Sequence, residues 1–125
     1  DTAEFRTLMA GAGLIDELPE KLIDAAGTLT GCGPAFAYLF AEALADGGVA
    51  CGLPRAKAQT YAAAMLRGSA AMVLETGKHP GELKDAVCSP GGTTIEGVAA
   101  LERNGFRSAA IEAVRAWFGK TAKLG

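Results

Sequence analysis

Aromatic side chains are scarce in this sequence: Phe, Tyr and Trp together make up 6 % of 125 residues, and Trp117 is the single tryptophan. Half of the residues are nonetheless hydrophobic, and alanine dominates them. The apolar surface is therefore broad and shallow, a composition that favours close helix packing and needs a partner to finish the core. No basic run occurs, and the net charge of −2 with a pI near 5.4 argues against a nucleic-acid surface. No segment reaches the roughly 18 consecutive apolar residues that a membrane span requires. Neither a basic n-region nor an apolar h-region opens the chain, so no secretion signal is expected. Cysteine is limited to Cys32, Cys51 and Cys88, without a C-x-x-C pair. Such spacing reads as reduced thiols, small core residues of a cytoplasmic protein. His79 is the only histidine, so no ligand set stands at metal spacing and no metal site is expected.

What the sequence does have is one dense stretch, Val87-Cys88-Ser89-Pro90-Gly91-Gly92-Thr93-Thr94-Ile95-Glu96-Gly97. A proline, two adjacent glycines and three hydroxyl side chains separate one helix-like segment, Glu82 to Cys88, from another, Ile95 to Glu102. A helix start so stripped of side chains offers unpaired N–H groups and a positive dipole end, which suit a small anion, most simply a carboxylate. The plainer reading of the same residues is a tight turn with a capping box formed by Thr93 and Glu96. The local pattern alone favours the cap.

The rest of the chain places that stretch among helices. Residues 1 to 18 read as a short helix (Thr2 to Met9), a Gly11-Ala12-Gly13 turn and a strand-like run, Leu14 to Leu18. A lone strand leaves its backbone groups without partners, so this segment is expected to be the tail of a larger α/β unit. Its Gly-x-Gly follows a helix and precedes a strand, the reverse of the dinucleotide-binding order, and reads as a structural turn. From Pro19 onward the spacing is helical. Leu22, Ile23, Ala26 and Leu29 mark a first amphipathic helix, which Gly31-Cys32-Gly33-Pro34 is expected to break. The next segment, to Ala45, is apolar on nearly every face and is expected to be a central helix buried all round, with Glu42 on a narrow polar stripe or at a subunit boundary.

Pro54 to Thr76 reads as one continuous helix about 35 Å long, with Ala58, Tyr61, Ala62, Met65, Leu66, Ser69, Met72 and Val73 as its apolar stripe. A helix of that length outruns an intramolecular partner, so part of the stripe is expected to meet a second copy. His79, just ahead of Pro80, reads as a cap or packing residue, and Lys84 with Asp85 as a solvated charge pair. Gly105 is the expected left-handed cap of the fifth helix. Ala110, Ile111, Val114, Trp117 and Phe118 share one side of the last. The fold class expected is all-α, a bundle of about six helices completed by an interlocked, domain-swapped dimer.

Four ordered blocks carry a resemblance. They are Leu29-Thr30-Gly31-Cys32-Gly33-Pro34-Ala35-Phe36; Ala43-Leu44-Ala45-Asp46-Gly47-Gly48-Val49 with Gly52-Leu53-Pro54-Arg55; His79-Pro80-Gly81-Glu82-Leu83-Lys84-Asp85; and Ser89-Pro90-Gly91-Gly92-Thr93-Thr94 with Leu101-Glu102 and Gly105-Phe106-Arg107. From about Glu20 to its end the chain resembles the C-terminal domain of the pyrroline-5-carboxylate reductase family. The resemblance implies an enzyme that reduces the cyclic imine of pyrroline-5-carboxylate to proline with NADPH or NADH, residues 1–18 being the remnant of a dinucleotide-binding domain and 19–125 the helical dimerisation and substrate-binding domain. It also implies that Ser89 and the backbone N–H groups of Gly92 and Thr93 hold the substrate carboxylate. Thr94, the catalytic residue of the set, would offer its hydroxyl to the ring nitrogen, Val87 and Pro90 would line the pocket, and Gly91 and Gly92 would keep the backbone bare. Members of the family often have a smaller residue at the position of Thr93 and a small hydroxyl residue at that of Cys32. The Gly-rich strand-turn-helix for the cofactor pyrophosphate is missing from these residues, so no dinucleotide is expected to bind this chain. A purely structural dimerisation module and the helical domain of another imine or hydroxyacid reductase are the alternative readings.

Overall fold

The computed structural model describes residues 4–9 and 14–124, with side chains for residues 17–120. From Glu20 onward every regular element is helical, so the all-α class holds for that span. The segment before it differs from expectation. β1 (Glu4–Met9) pairs antiparallel with β2 (Leu14–Pro19), in register from Glu4↔Pro19 to Met9↔Leu14. A strand thus replaces the helix expected over Thr2 to Met9, and the pairing gives the Leu14 run the hydrogen-bonding neighbour that a lone strand lacks. The Gly11-Ala12-Gly13 turn lies outside the described residues.

Two compact units divide the chain, Asp1–Tyr38 with Arg107–Gly125, and Leu39–Phe106. In the first, a 3₁₀ turn (Glu20–Leu22), α1 (Ile23–Gly27) and a π-helical stretch (Thr28–Cys32) lead into α2 (Gly33–Ala50). The break expected at Gly31–Pro34 is absent. Pro34 lacks an N–H, and its ring clashes with the carbonyl four residues back, so the helix widens to π spacing just ahead of it rather than stopping. The hydroxyls of Thr28 and Thr30 donate to the carbonyls of Asp24 and Ala26, each at 2.9 Å, and such back-bonding eases a helix out of regular geometry. Among the described residues of this unit Thr28 is the buried one. α6 (Phe106–Leu124) supplies its last helix.

The second unit holds the rest of α2, then α3 (Arg55–Thr76), α4 (Pro80–Ala86) and α5 (Thr93–Arg103). Its core is small: Ala45 from α2 with Ala58 and Ala62 from α3, and Leu44 and Val49 half-buried against them. Gly48 lets the two helices approach, because a Cβ there would stand 3.2 Å from Leu53 Cδ1 and 3.4 Å from Ala58 Cβ. The chain leaves α2 through a Schellman turn. Leu53 N–H donates to the Gly48 carbonyl at 3.0 Å and Gly52 N–H to that of Val49 at 2.9 Å, with Gly52 at φ 106°. An Arg55–Asp46 ion pair ties the start of α3 back to α2, and the Phe40 and Phe106 rings meet with centroids 5.3 Å apart. Gly77, at φ 67°, ends α3, and Gly105, at φ 74°, follows α5 as expected.

Much of the apolar surface stays uncovered. α2 is not buried all round: Ala45 is its one buried residue, while Tyr38 is 73 % and Leu39 66 % exposed and Glu42 is exposed beside them. On the α3 stripe Ala58 and Ala62 are buried and Leu66 and Val73 half-buried, but Tyr61, Met65 and Met72 are exposed, as are Ile111, Trp117 and Phe118 of α6. Cys51 is exposed in the Schellman turn instead of joining the core, and Cys32 and Cys88 are half-buried free thiols. Among the described residues no helix is long and apolar enough to cross a membrane.

Candidate functional site

The connection between α4 and α5 is a short series of hydrogen-bonded turns. Val87 and Cys88 continue the last turn of α4, their N–H groups donating to the carbonyls of Lys84 and Asp85, each at 3.1 Å. Ser89 to Gly92 then form a β-turn closed by Gly92 N–H to Ser89 C=O at 3.0 Å. Pro90 in the second place and Gly91 in the third, at φ 68°, are the signature of a type II turn, whose third residue needs positive φ. That conformation is what Gly91 contributes, since a Cβ on it would meet nothing within 4 Å. Gly92 is different. The Ser89 hydroxyl stands against the place its Cβ would take, so any side chain at 92 would have to displace it.

Helix α5 begins one residue earlier than a Thr93–Glu96 capping box requires. Gly92 is the N-cap, extended at φ −81° and ψ 176°, and no side chain accepts from the first turn. The capping box is therefore not formed. The N–H groups of Thr93, Thr94 and Ile95 begin the helix without an intrahelical acceptor, while that of Gly92 is committed to Ser89. Of the two donors expected, the Gly92 N–H is thus engaged within the turn and the Thr93 N–H lies at the helix start with those of Thr94 and Ile95. Three N–H groups at a positive helix end suit a carboxylate, and Glu96 is the only acidic side chain in that turn.

The remaining site residues fall around this turn. Val87 is 65 % exposed at the end of α4, and Ser89, Pro90, Thr93 and Thr94 are exposed. One face of the turn is thus open in the single chain. Lys84 Nζ pairs with Asp85 Oδ1 at 3.2 Å on the surface, the solvated charge pair expected. His79 caps α4, its Nδ1 accepting from Gly81 N–H at 2.9 Å, the capping role expected of it. A recess of about 380 Å³ between Thr60, Ala63, Ala64 and Arg67 lies on α3 and shares no residue with the turn. It is open, half of its lining is alanine, and no sequence motif marked it. Among the described residues no group of three His, Cys, Asp or Glu could hold a metal ion. The only strands among the described residues, β1 and β2, pair antiparallel.

Comparison with known proteins gives this geometry a family. The model of the pyrroline-5-carboxylate reductase dimerisation family matches residues 20–124. A pyrroline-5-carboxylate reductase of Synechocystis sp. is 51 % identical over 123 residues, 98 % of this chain and 46 % of the relative. One of Escherichia coli is 48 % identical over 124 residues, 99 % of this chain and 46 % of the relative. A crystal structure of Plasmodium falciparum pyrroline carboxylate reductase with NADP bound superposes with a TM-score of 0.85 at 40 % identity, covering 90 % of this chain and 46 % of that one. The chain thus spans a little under half the length of the relatives it matches, and its helical span belongs to the pyrroline-5-carboxylate reductase dimerisation family.

Proposed function

We propose that residues 19–125 serve as the subunit-pairing and substrate-binding part of a pyrroline-5-carboxylate reductase, which reduces 1-pyrroline-5-carboxylate to L-proline, and that residues 1–18 belong with a dinucleotide-binding part. The observation that carries this reading is the bare first turn of α5. Its Thr93, Thr94 and Ile95 N–H groups have no intrahelical acceptor, and the N-cap Gly92 adds no side chain beside them. A carboxylate there gains an electrostatic term of about 1 kcal/mol from the helix end, together with charge-assisted hydrogen bonds. That suffices to orient a small ring without a dedicated arginine.

Orientation is the contribution this reaction asks of the chain. A protonated cyclic imine already accepts hydride readily, so the protein fixes the carboxylate and turns the imine carbon toward the donor. In this reading the hydroxyl of Thr94, second in the helix, would hydrogen-bond the ring nitrogen, Ser89 would add a second hydroxyl, and the exposed Val87 and Pro90 an apolar edge. NADPH or NADH supplies the hydride in that reaction. The pairing half of the proposal rests on the exposed apolar faces of α2, α3 and α6, which a second copy would cover in an interlocked dimer. Free thiols throughout agree with a reducing, cytoplasmic setting.

The test is an assay of a reductase in which this sequence is joined to a dinucleotide-binding domain, offered several cyclic imines and keto acids. Preferred reduction of 1-pyrroline-5-carboxylate is the result expected. Preference for another imine or for a keto acid would replace the substrate.

A further inference from the structure

We propose that His79 is a positioning residue for the Ser89–Thr94 turn: its imidazole and carbonyl clamp the start of α4, and α4 fixes the backbone from which the turn is built. The inference rests on the carboxylate-binding role proposed above for that turn.

One residue receives every free amide at the head of α4. Pro80 brings no N–H. Gly81 N–H donates to His79 Nδ1 at 2.9 Å, and the next two, Glu82 and Leu83, donate to the His79 carbonyl at 2.9 and 3.2 Å. The side-chain bond needs the lone pair on Nδ1, so the ring acts there as an acceptor. Glycine at 81 belongs to the same device, because a Cβ on it would stand 2.9 Å from Nδ1 and 3.2 Å from Cε1 of the ring.

α4 depends on these end bonds. It has seven residues, too few to be stable by propagation alone, and none of them is buried. At its other end the Val87 and Cys88 amides hang on Lys84 and Asp85, and the next residue, Ser89, supplies both the carbonyl that closes the β-turn and the hydroxyl over Gly92. Hydrogen bonds thus run from the His79 ring along α4 to Cys88, and the peptide link from Cys88 to Ser89 carries that line into the turn that ends at the N-cap of α5. Loosening its first member is therefore expected to loosen the turn.

Amide hydrogen exchange on the 125-residue chain, read by NMR, tests the clamp, with proline affinity measured on the same samples. In His79→Ala the Val87, Cys88 and Gly92 amides should exchange about five-fold faster, the equivalent of losing one helix N-cap, and proline should bind correspondingly more weakly. His79→Asn, which keeps an acceptor at the cap, should restore both. Gly81→Ala separates the clamp from mere helix stability: alanine favours the helix by propensity yet pushes the ring off its amide. Faster exchange at Gly92 in Gly81→Ala supports the clamp. Slower or unchanged exchange there, or changes in His79→Ala confined to Gly81, Glu82 and Leu83, overturns it. Absence of proline binding to the wild-type chain would overturn the carboxylate role of the turn, while the exchange rates still decide the clamp.

Discussion

Gly92 carries the tightest steric demand in the candidate site. Ser89 shares that demand, because its hydroxyl occupies the space where a side chain at 92 would begin. Gly92→Val should therefore abolish proline binding to the turn, measured by calorimetry, while the helix content seen by circular dichroism stays near wild type. Undiminished affinity would mean that the ligand does not approach this backbone. Thr94 is tested through its chemistry. In a reductase carrying this sequence, Thr94→Ala should lower kcat/KM for pyrroline-5-carboxylate by about 10-fold or more, as loss of one hydrogen bond to a charged group implies, with unfolding unchanged. An unaltered rate would remove Thr94 from the site.

At the level of elements, the α2–α3 pair is held by small residues. Gly48 meets Leu53 and Ala58 at contact distance, so Gly48→Val overpacks the crossing and should cost about 1–3 kcal/mol, read as a lower denaturant midpoint. A midpoint equal to wild type would mean that the two helices separate without penalty. These elements were legible in the sequence where periodicity and punctuation agreed: α3 is continuous through Gly68, and Gly105 is a left-handed cap. They were not where one residue has two lawful outcomes. Pro34 can end a helix or be absorbed by a π turn, and the two threonines that ease the helix into that turn act through bonds that no spacing rule displays. The Ser89–Thr94 turn was visible as a feature. The start of α5 at Thr93 instead of Ile95 was not, because it depends on where Gly92 spends its N–H.

For the whole molecule the telling quantity is what remains uncovered. The unit Leu39–Phe106 buries no hydrophobic residue larger than alanine, while Tyr38, Leu39, Tyr61, Met65 and Trp117 stand exposed. The scarcity of large core residues read from composition thus reappears as exposed apolar helix faces, which the proposed dimer would cover. Leu39→Lys should shift the chain from dimer toward monomer in sedimentation equilibrium and make its melting temperature fall on dilution. A monodisperse dimer in that variant would move the interface away from this face of α2. The carboxylate role of the first turn of α5 is decided by titrating the chain with proline and following its amide resonances: the largest saturable shifts should fall on Thr93, Thr94 and Ile95, whereas a folded dimer with no shifts there, or with shifts centred on Arg67 in the α3 recess, rules that role out.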